Sequence, residues 1–224
     1  MSKFRSWLDN YWYHYKWHTF FGLFAAALVI IAGISLIGKK EYDVYAVYAG
    51  PHALVENEAG DLESDISKYC KTDYTGNGKI ETNILSFVYV SPERAKEYLE
   101  NGTFYSEPIN YEARKSIVSQ LNSGDSFIYL MDATLFDELC ETGYFISLSS
   151  IFGKTPECAY NAYGILLKDT AFGQECKSTE VLPEDTVLCI KKNNAIMSVF
   201  GTKKNEEKLQ KHEAVFKEMV GIDG

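Results

Sequence analysis

The stretch DYTGNGKIETNI, residues 73–84, carries the spacing of the front half of a calcium loop. Asp73, Thr75 and Asn77 fall at its first, third and fifth positions, where oxygen ligands belong, and Gly78 falls at the sixth, where the chain turns sharply. The twelfth position, which a bidentate glutamate would fill, is Ile84. Two readings follow: a reduced calcium site on Asp73, Thr75 and Asn77, or a helix-to-strand turn in which Gly76 and Gly78 supply positive φ.

Beyond that loop, the groups able to do chemistry are few. His52 follows YAGP after the first expected strand, Ser91 precedes Pro92 after the second, and Asp132 and Thr134 follow the third. Ligands of open α/β sheets meet the carboxyl ends of the strands, so His52, Ser91, Asp132 and Thr134 are the expected ligand-binding residues of one shared cleft. A helix starting at Pro51 would add free N–H groups for an anion. Ser91 and Asp132 are also expected helix caps, a sufficient structural reason for both. No catalytic residues are assigned: the chain holds no G-x-S-x-G, no H-E-x-x-H and no phosphate-binding loop. His212, in a charged helical stretch, reads as solvated. The five cysteines form no C-x-x-C, which argues against zinc ribbons and thioredoxin chemistry, and Cys158 with Cys176 is the expected pair if one forms. Asn101-Gly102-Thr103 matches a glycosylation sequon and reads as a turn.

The elements that hold these residues alternate. YDVYAVYAG (42–50), KIETNILSFVYV (79–90) and SFIYLMD (126–132) read as strands, and amphipathic helical spacings lie between and after them. Ser91-Pro92 and Asp132 start helices, and Gly124 follows the end of another. This order predicts a single mostly parallel αβα domain, with Val44–Tyr48, Leu85–Tyr89 and Phe127–Leu130 at the centre of the sheet. A Val187–Phe200 hairpin is expected at an edge or in an annex, and Asn205 to Gly221 as a closing helix.

From Thr19 to Gly38 there is no charged residue, a length that matches the hydrocarbon thickness of a bilayer. The flank NYWYHYKWHTFF is crowded with Trp and Tyr, which favour the membrane interface. The expected organisation is a juxtamembrane segment 1–18, an uncleaved transmembrane helix 19–38 and an extracytoplasmic α/β domain 41–224. Lys3, Arg5, Lys16, Lys39, Lys40 and the acid Asp9 all lie in residues 1–40, so 41–224 keep 17 Lys and Arg against 30 Asp and Glu, a net charge of −13. That acidity argues against nucleic acid as a partner.

LNSGDSFIYLMDATLFDELCETGYFISLSSIFG resembles the bacterial extracellular solute-binding proteins with the type 2 periplasmic-binding fold: a Gly-Asp turn enters an apolar strand, a residue at its end starts a helix, and a glycine, an aromatic and an aliphatic residue follow. DVYAVYAG is similar to that family's first strand and DYTGNGKIETNILSFVYV to its second, and the likeness covers most of 42–170. It implies one lobe of such a protein, reduced and membrane-tethered. The function expected from the whole is a membrane-anchored binding or interaction module, not an enzyme, accessory to a transport complex. Its partners would be the membrane and a protein or small solute; a membrane-anchored enzyme with an unrecognised site is the alternative.

Overall fold

The computed structural model describes residues 3–37, 40–193 and 202–222, without the side chains of 3–6, 8, 9, 32, 34–37 and 202–204. It divides into two compact units, Met1–Glu41 and Tyr42–Gly224.

The first unit is one helix, α1 (Lys3–Ile37). It begins well before the apolar run, because aromatic side chains four residues apart stack along one face: Trp7 on Tyr11 at 5.8 Å and Tyr11 on Tyr15 at 5.4 Å between ring centroids. The Thr19 hydroxyl donates back to the Tyr15 carbonyl at 3.0 Å. The expected transmembrane helix 19–38 is corrected here: among the described residues, no helix is long and apolar enough to cross a membrane.

The second unit is α/β. Strands β1 (Val44–Gly50), β2 (Thr82–Val88), β3 (Ile128–Asp132), β4 (Gly164–Leu166) and β5 (Thr186–Ile190) form one sheet in the order β2-β1-β3-β5-β4. β1 pairs parallel with β2 and with β3, whereas β5 pairs antiparallel with β3 and with β4. The sheet is therefore mixed, which corrects the mostly parallel expectation. A parallel neighbour needs a crossover that carries the chain back to the starting edge. After β4, residues 167–185 fold instead into short turns, including α7 (Ala171–Glu175), and stay at the edge where β4 ended. β5 consequently returns in the opposite direction, inside the sheet, and the second half of the expected Val187–Phe200 hairpin lies outside the described residues. β2, expected near the centre, is an edge strand.

Alternation along β1 builds a core on each face. Val44, Ala46 and Tyr48 pack with Leu62 and Ile66 of α2 (Glu56–Lys68) and with Phe216 and Met219 of α8 (Thr202–Val220). Val47 and Ala49 pack on the other face with Ile117 and Leu121 of α4 (Glu107–Ser123) and Phe136 of α5 (Ala133–Cys140). Helices cover both faces because β1 and β3 are apolar on both. Asn205 lies within α8 rather than capping it, and Gly221 ends that helix at φ +74°.

Three buried polar groups tie this core together or strain it. His212, expected at the surface, is 3% exposed. Its Nε2 accepts the Tyr45 N–H at 3.0 Å, so its Nδ1 is protonated and donates to the Lys208 carbonyl at 2.7 Å. Burial pulls its pKa down to about 4. Lys191 is fully buried and donates to the carbonyls of Gln120 and Gly124, at 3.2 and 2.6 Å, capping the end of α4 where the helix dipole favours a cation. Burial lowers its pKa to about 8. Tyr129, opposite the equally buried Cys189, has a hydroxyl with no hydrogen-bond partner among the described residues. Tyr129→Phe should accordingly raise stability by about 1 kcal/mol, because an unsatisfied buried hydroxyl is removed without changing shape. A rise in the urea midpoint checks it, and a fall would reveal a bound water satisfying the hydroxyl. All five cysteines are free thiols, the expected pair Cys158 and Cys176 included.

Candidate functional site

The parallel strands end together, so the loops after β1, β2 and β3 gather at one edge of the sheet. At Gly50 β1 needs a glycine, since a Cβ there would lie 2.5 Å from the Tyr48 hydroxyl. That hydroxyl accepts the His52 N–H at 3.2 Å. Residues 51–55 turn without forming a helix, and α2 begins at Glu56. The helix expected from Pro51 thus starts at Glu56 instead, where the Glu58 carboxylate accepts the Val55 N–H at 3.0 Å. The same carboxylate meets His52 Nε2 at 2.9 Å. The Val55 N–H first, and His52 second, hold the Glu58 pKa below its ordinary value.

Ser91 and Asp132 do cap helices. The Ser91 hydroxyl accepts the Arg94 N–H at 3.5 Å at the start of α3 (Pro92–Glu100). Asp132 Oδ1 accepts the N–H groups of Thr134 and Leu135, at 3.0 and 3.3 Å, at the start of α5. Its Oδ2 is buried, has no hydrogen-bond partner among the described residues and faces Arg94 Nε at 3.5 Å, an ion-pair contact beyond good hydrogen-bond length. Burial raises the Asp132 pKa, partly offset by its N–H donors and Arg94. Arg94 Nη2 also meets both carboxylate oxygens of Asp185 at 2.6 Å, just ahead of β5. The Tyr48 hydroxyl feels Asp132 and Arg94, and burial pushes its pKa upward.

Arg94 joins Ser91, Asp132 and Asp185, and the Tyr48 hydroxyl holds the backbone of His52. The imidazole of His52 turns instead to Glu58, and Thr134 contributes its N–H to the Asp132 cap. Ser91 is 2% exposed, so its hydroxyl is not presented to solvent as a nucleophile. Sequence reasoning missed Glu58, Arg94, Asp185 and Tyr48. Val55 has no side-chain acceptor, so no capping pattern marked Glu58, and the other three are likewise brought in only by folding. From Glu58 a polar groove of about 340 Å³ runs between α2 and the turn Lys177–Val181, lined by Asp61, Asp65, Lys68 and Ser178 among others.

In the 73–84 loop, Asp73 Oδ1 accepts from the Thr75 hydroxyl at 3.1 Å and the Gly76 N–H at 2.6 Å, and Oδ2 accepts the Gly78 N–H at 2.7 Å. Asn77 Oδ1 accepts the Lys79 N–H at 2.8 Å. Gly76 and Gly78 take φ of +71° and +82°. Buried Asp43 accepts the N–H groups of Tyr74, Thr75 and Glu81 from below. These oxygens are directed at the loop's own donors, and among the described residues no group of three or more His, Cys, Asp or Glu could hold a metal ion.

The chain matches no family model, no curated protein and no solved structure.

Proposed function

We propose that the protein is a membrane-attached interaction module, with α1 held by lipid and the α/β domain offering a binding surface to a protein or small solute outside the cytoplasm. The observation that carries this reading is the solvent exposure of α1. Tyr13, Phe21 and Val29 are 77, 70 and 71% exposed, and Trp7, Trp12, Trp17, Phe20 and Phe24 are more than half exposed. Aromatic residues with one wet and one apolar end suit the lipid–water interface, and the aliphatic stretch beyond them suits acyl chains. The net charge of −13 on 41–224 keeps the domain itself off an anionic lipid surface. The domain's strand–helix order from β1 to α5 supports a likeness to one lobe of an extracellular solute-binding protein, and hence the outer side.

The full chain should float with phosphatidylcholine–phosphatidylglycerol vesicles. Replacing Phe20, Phe21 and Phe24 together with serine should reduce flotation by about tenfold or more, since each aromatic contributes on the order of 1–3 kcal/mol of apolar transfer. In cells stripped of their wall, added protease should remove residues 41–224. A parent chain that stays with the unbound fraction would overturn lipid attachment, and full protection in intact cells would overturn the outer location.

A further inference from the structure

β2 is an edge strand, and most edge strands are covered or blunted. The parallel register turns its odd-numbered backbone groups toward β1, as in the bonds from the Val44 N–H to the Glu81 carbonyl and from the Tyr89 N–H to the Gly50 carbonyl. The even-numbered groups face outward, and two of them are already occupied by side chains. Glu63 accepts the Ile84 N–H at 2.9 Å. Asn110 imitates a paired strand at Val90, accepting its N–H at 2.8 Å and donating to its carbonyl at 3.0 Å. Between these two plugs the N–H and C=O groups of Ser86 and Val88 have no partner among the described residues, and both residues are exposed.

Beside that open window lies a small pocket of about 80 Å³, formed by Val88, Val90, Phe104, Tyr105, Ile109 and Asn110. Its volume suits one branched aliphatic side chain. Its rim is apolar and exposed, with Phe104 81% accessible. The surrounding segment 97–112 carries Glu97, Glu100, Glu107 and Glu112, all exposed; Glu112 is paired with Lys115 at 3.6 Å, and exposed Lys96 precedes the segment.

We infer that the β2 edge docks an extended basic peptide segment of a partner protein, which pairs its main chain with Ser86 and Val88 and drops one aliphatic side chain into the Phe104–Ile109 pocket. Strand addition supplies main-chain hydrogen bonds, and a pocket for alternate side chains supplies selectivity. The short window excludes long edge-to-edge pairing with a second copy. Glu97, Glu100 and Glu107 favour lysine or arginine at the peptide positions that face outward, and they disfavour an anionic lipid surface as the occupant. The inference names a partner class for the interaction module, and it does not depend on how α1 is held.

The test uses the full chain in non-ionic detergent and fluorescence anisotropy of a labelled hexapeptide alternating lysine with leucine and valine. Binding should saturate, weaken with salt, and fall by about tenfold or more in Phe104→Ser and Ile109→Ser, a loss of at least 1.4 kcal/mol. Both residues are exposed, so the fold should survive, and an unchanged far-ultraviolet spectrum and melting curve would verify that. Methylating alternate amide nitrogens of the peptide should abolish binding without changing its charge. A glutamate version of the peptide should not bind. The inference is overturned if the lysine peptide fails to bind at millimolar concentration, if the glutamate or N-methylated peptide binds as well, or if both serine variants bind like the parent. Because no lipid is present, such a failure leaves the vesicle result standing.

Discussion

Acidification from pH 6.5 to pH 4 is expected to lower the stability of the domain by up to about 3 kcal/mol through His212 alone. In the native state this imidazole is buried, Nε2 is committed to the Tyr45 N–H, and protonation would set two donors against each other. Lys208, Lys211 and Lys191 face it as cations and oppose a further positive charge. Above pH 6.5 neither state binds the proton. Between 6.5 and about 4 the unfolded chain binds it and the native state does not, so stability is lost as the pH falls. Asp132 acts in the opposite sense, since its raised pKa makes the native state the better proton binder at low pH. A variant isolates the histidine. His212→Phe should cost on the order of 1–3 kcal/mol at pH 7 by orphaning the Tyr45 N–H, and it should flatten the slope between pH 6.5 and 4. Urea midpoints measured across that range check both effects; a variant with the parent's slope would show that the acid sensitivity lies elsewhere.

Replacing Arg94 with leucine should destabilise the domain at pH 7 by about 2 kcal/mol. Breaking a buried pair leaves an uncompensated charge and costs about 3–5 kcal/mol, reduced here because the Arg94 side chain is 30% exposed and its contact with Asp132 is 3.5 Å. The loss should shrink on acidification. A carboxyl whose native pKa lies above its unfolded value penalises folding when charged, and protonation relieves the penalty. Losing the guanidinium moves that pKa further up, so the recovery should begin at a higher pH than in the parent. Asp132→Asn keeps an oxygen for the Thr134 and Leu135 N–H groups and removes the charge. The Arg94→Leu, Asp132→Asn double variant should therefore be more stable at pH 7 than Arg94→Leu alone. Equal stability of the two would mean that Arg94 does not compensate Asp132 and merely covers it.

Both expectations concern groups that the sequence presents without their partners. Ser91-Pro92 and Asp132 announced helix starts because capping is a contact within four residues, and both caps form. The alternation of strand and helix from β1 to α5 was readable for the same reason: burial of both faces of a strand, or one face of a helix, is written as a local period. The turn at 73–84 was also legible as one of two readings, since glycines at 76 and 78 report a backbone requirement directly. His212 was misjudged because its neighbours in sequence are charged, whereas its neighbours in space are Tyr45 and Phe127.

What the sequence by itself determined is thus the strand and helix order from β1 to α5, the caps at Ser91 and Asp132, and the edge of the sheet where His52, Ser91 and Asp132 lie. Only the tertiary structure decided the direction of β5, the edge position of β2, and the Arg94 contacts to Asp132 and Asp185. The physical reason is range. A cap or an amphipathic period involves residues within a turn or two of each other. Strand direction depends on where a 19-residue excursion ends, between Leu166 and Thr186. The Arg94–Asp185 pair closes a loop of 91 residues, and no local pattern encodes which distant carboxylate a guanidinium will meet.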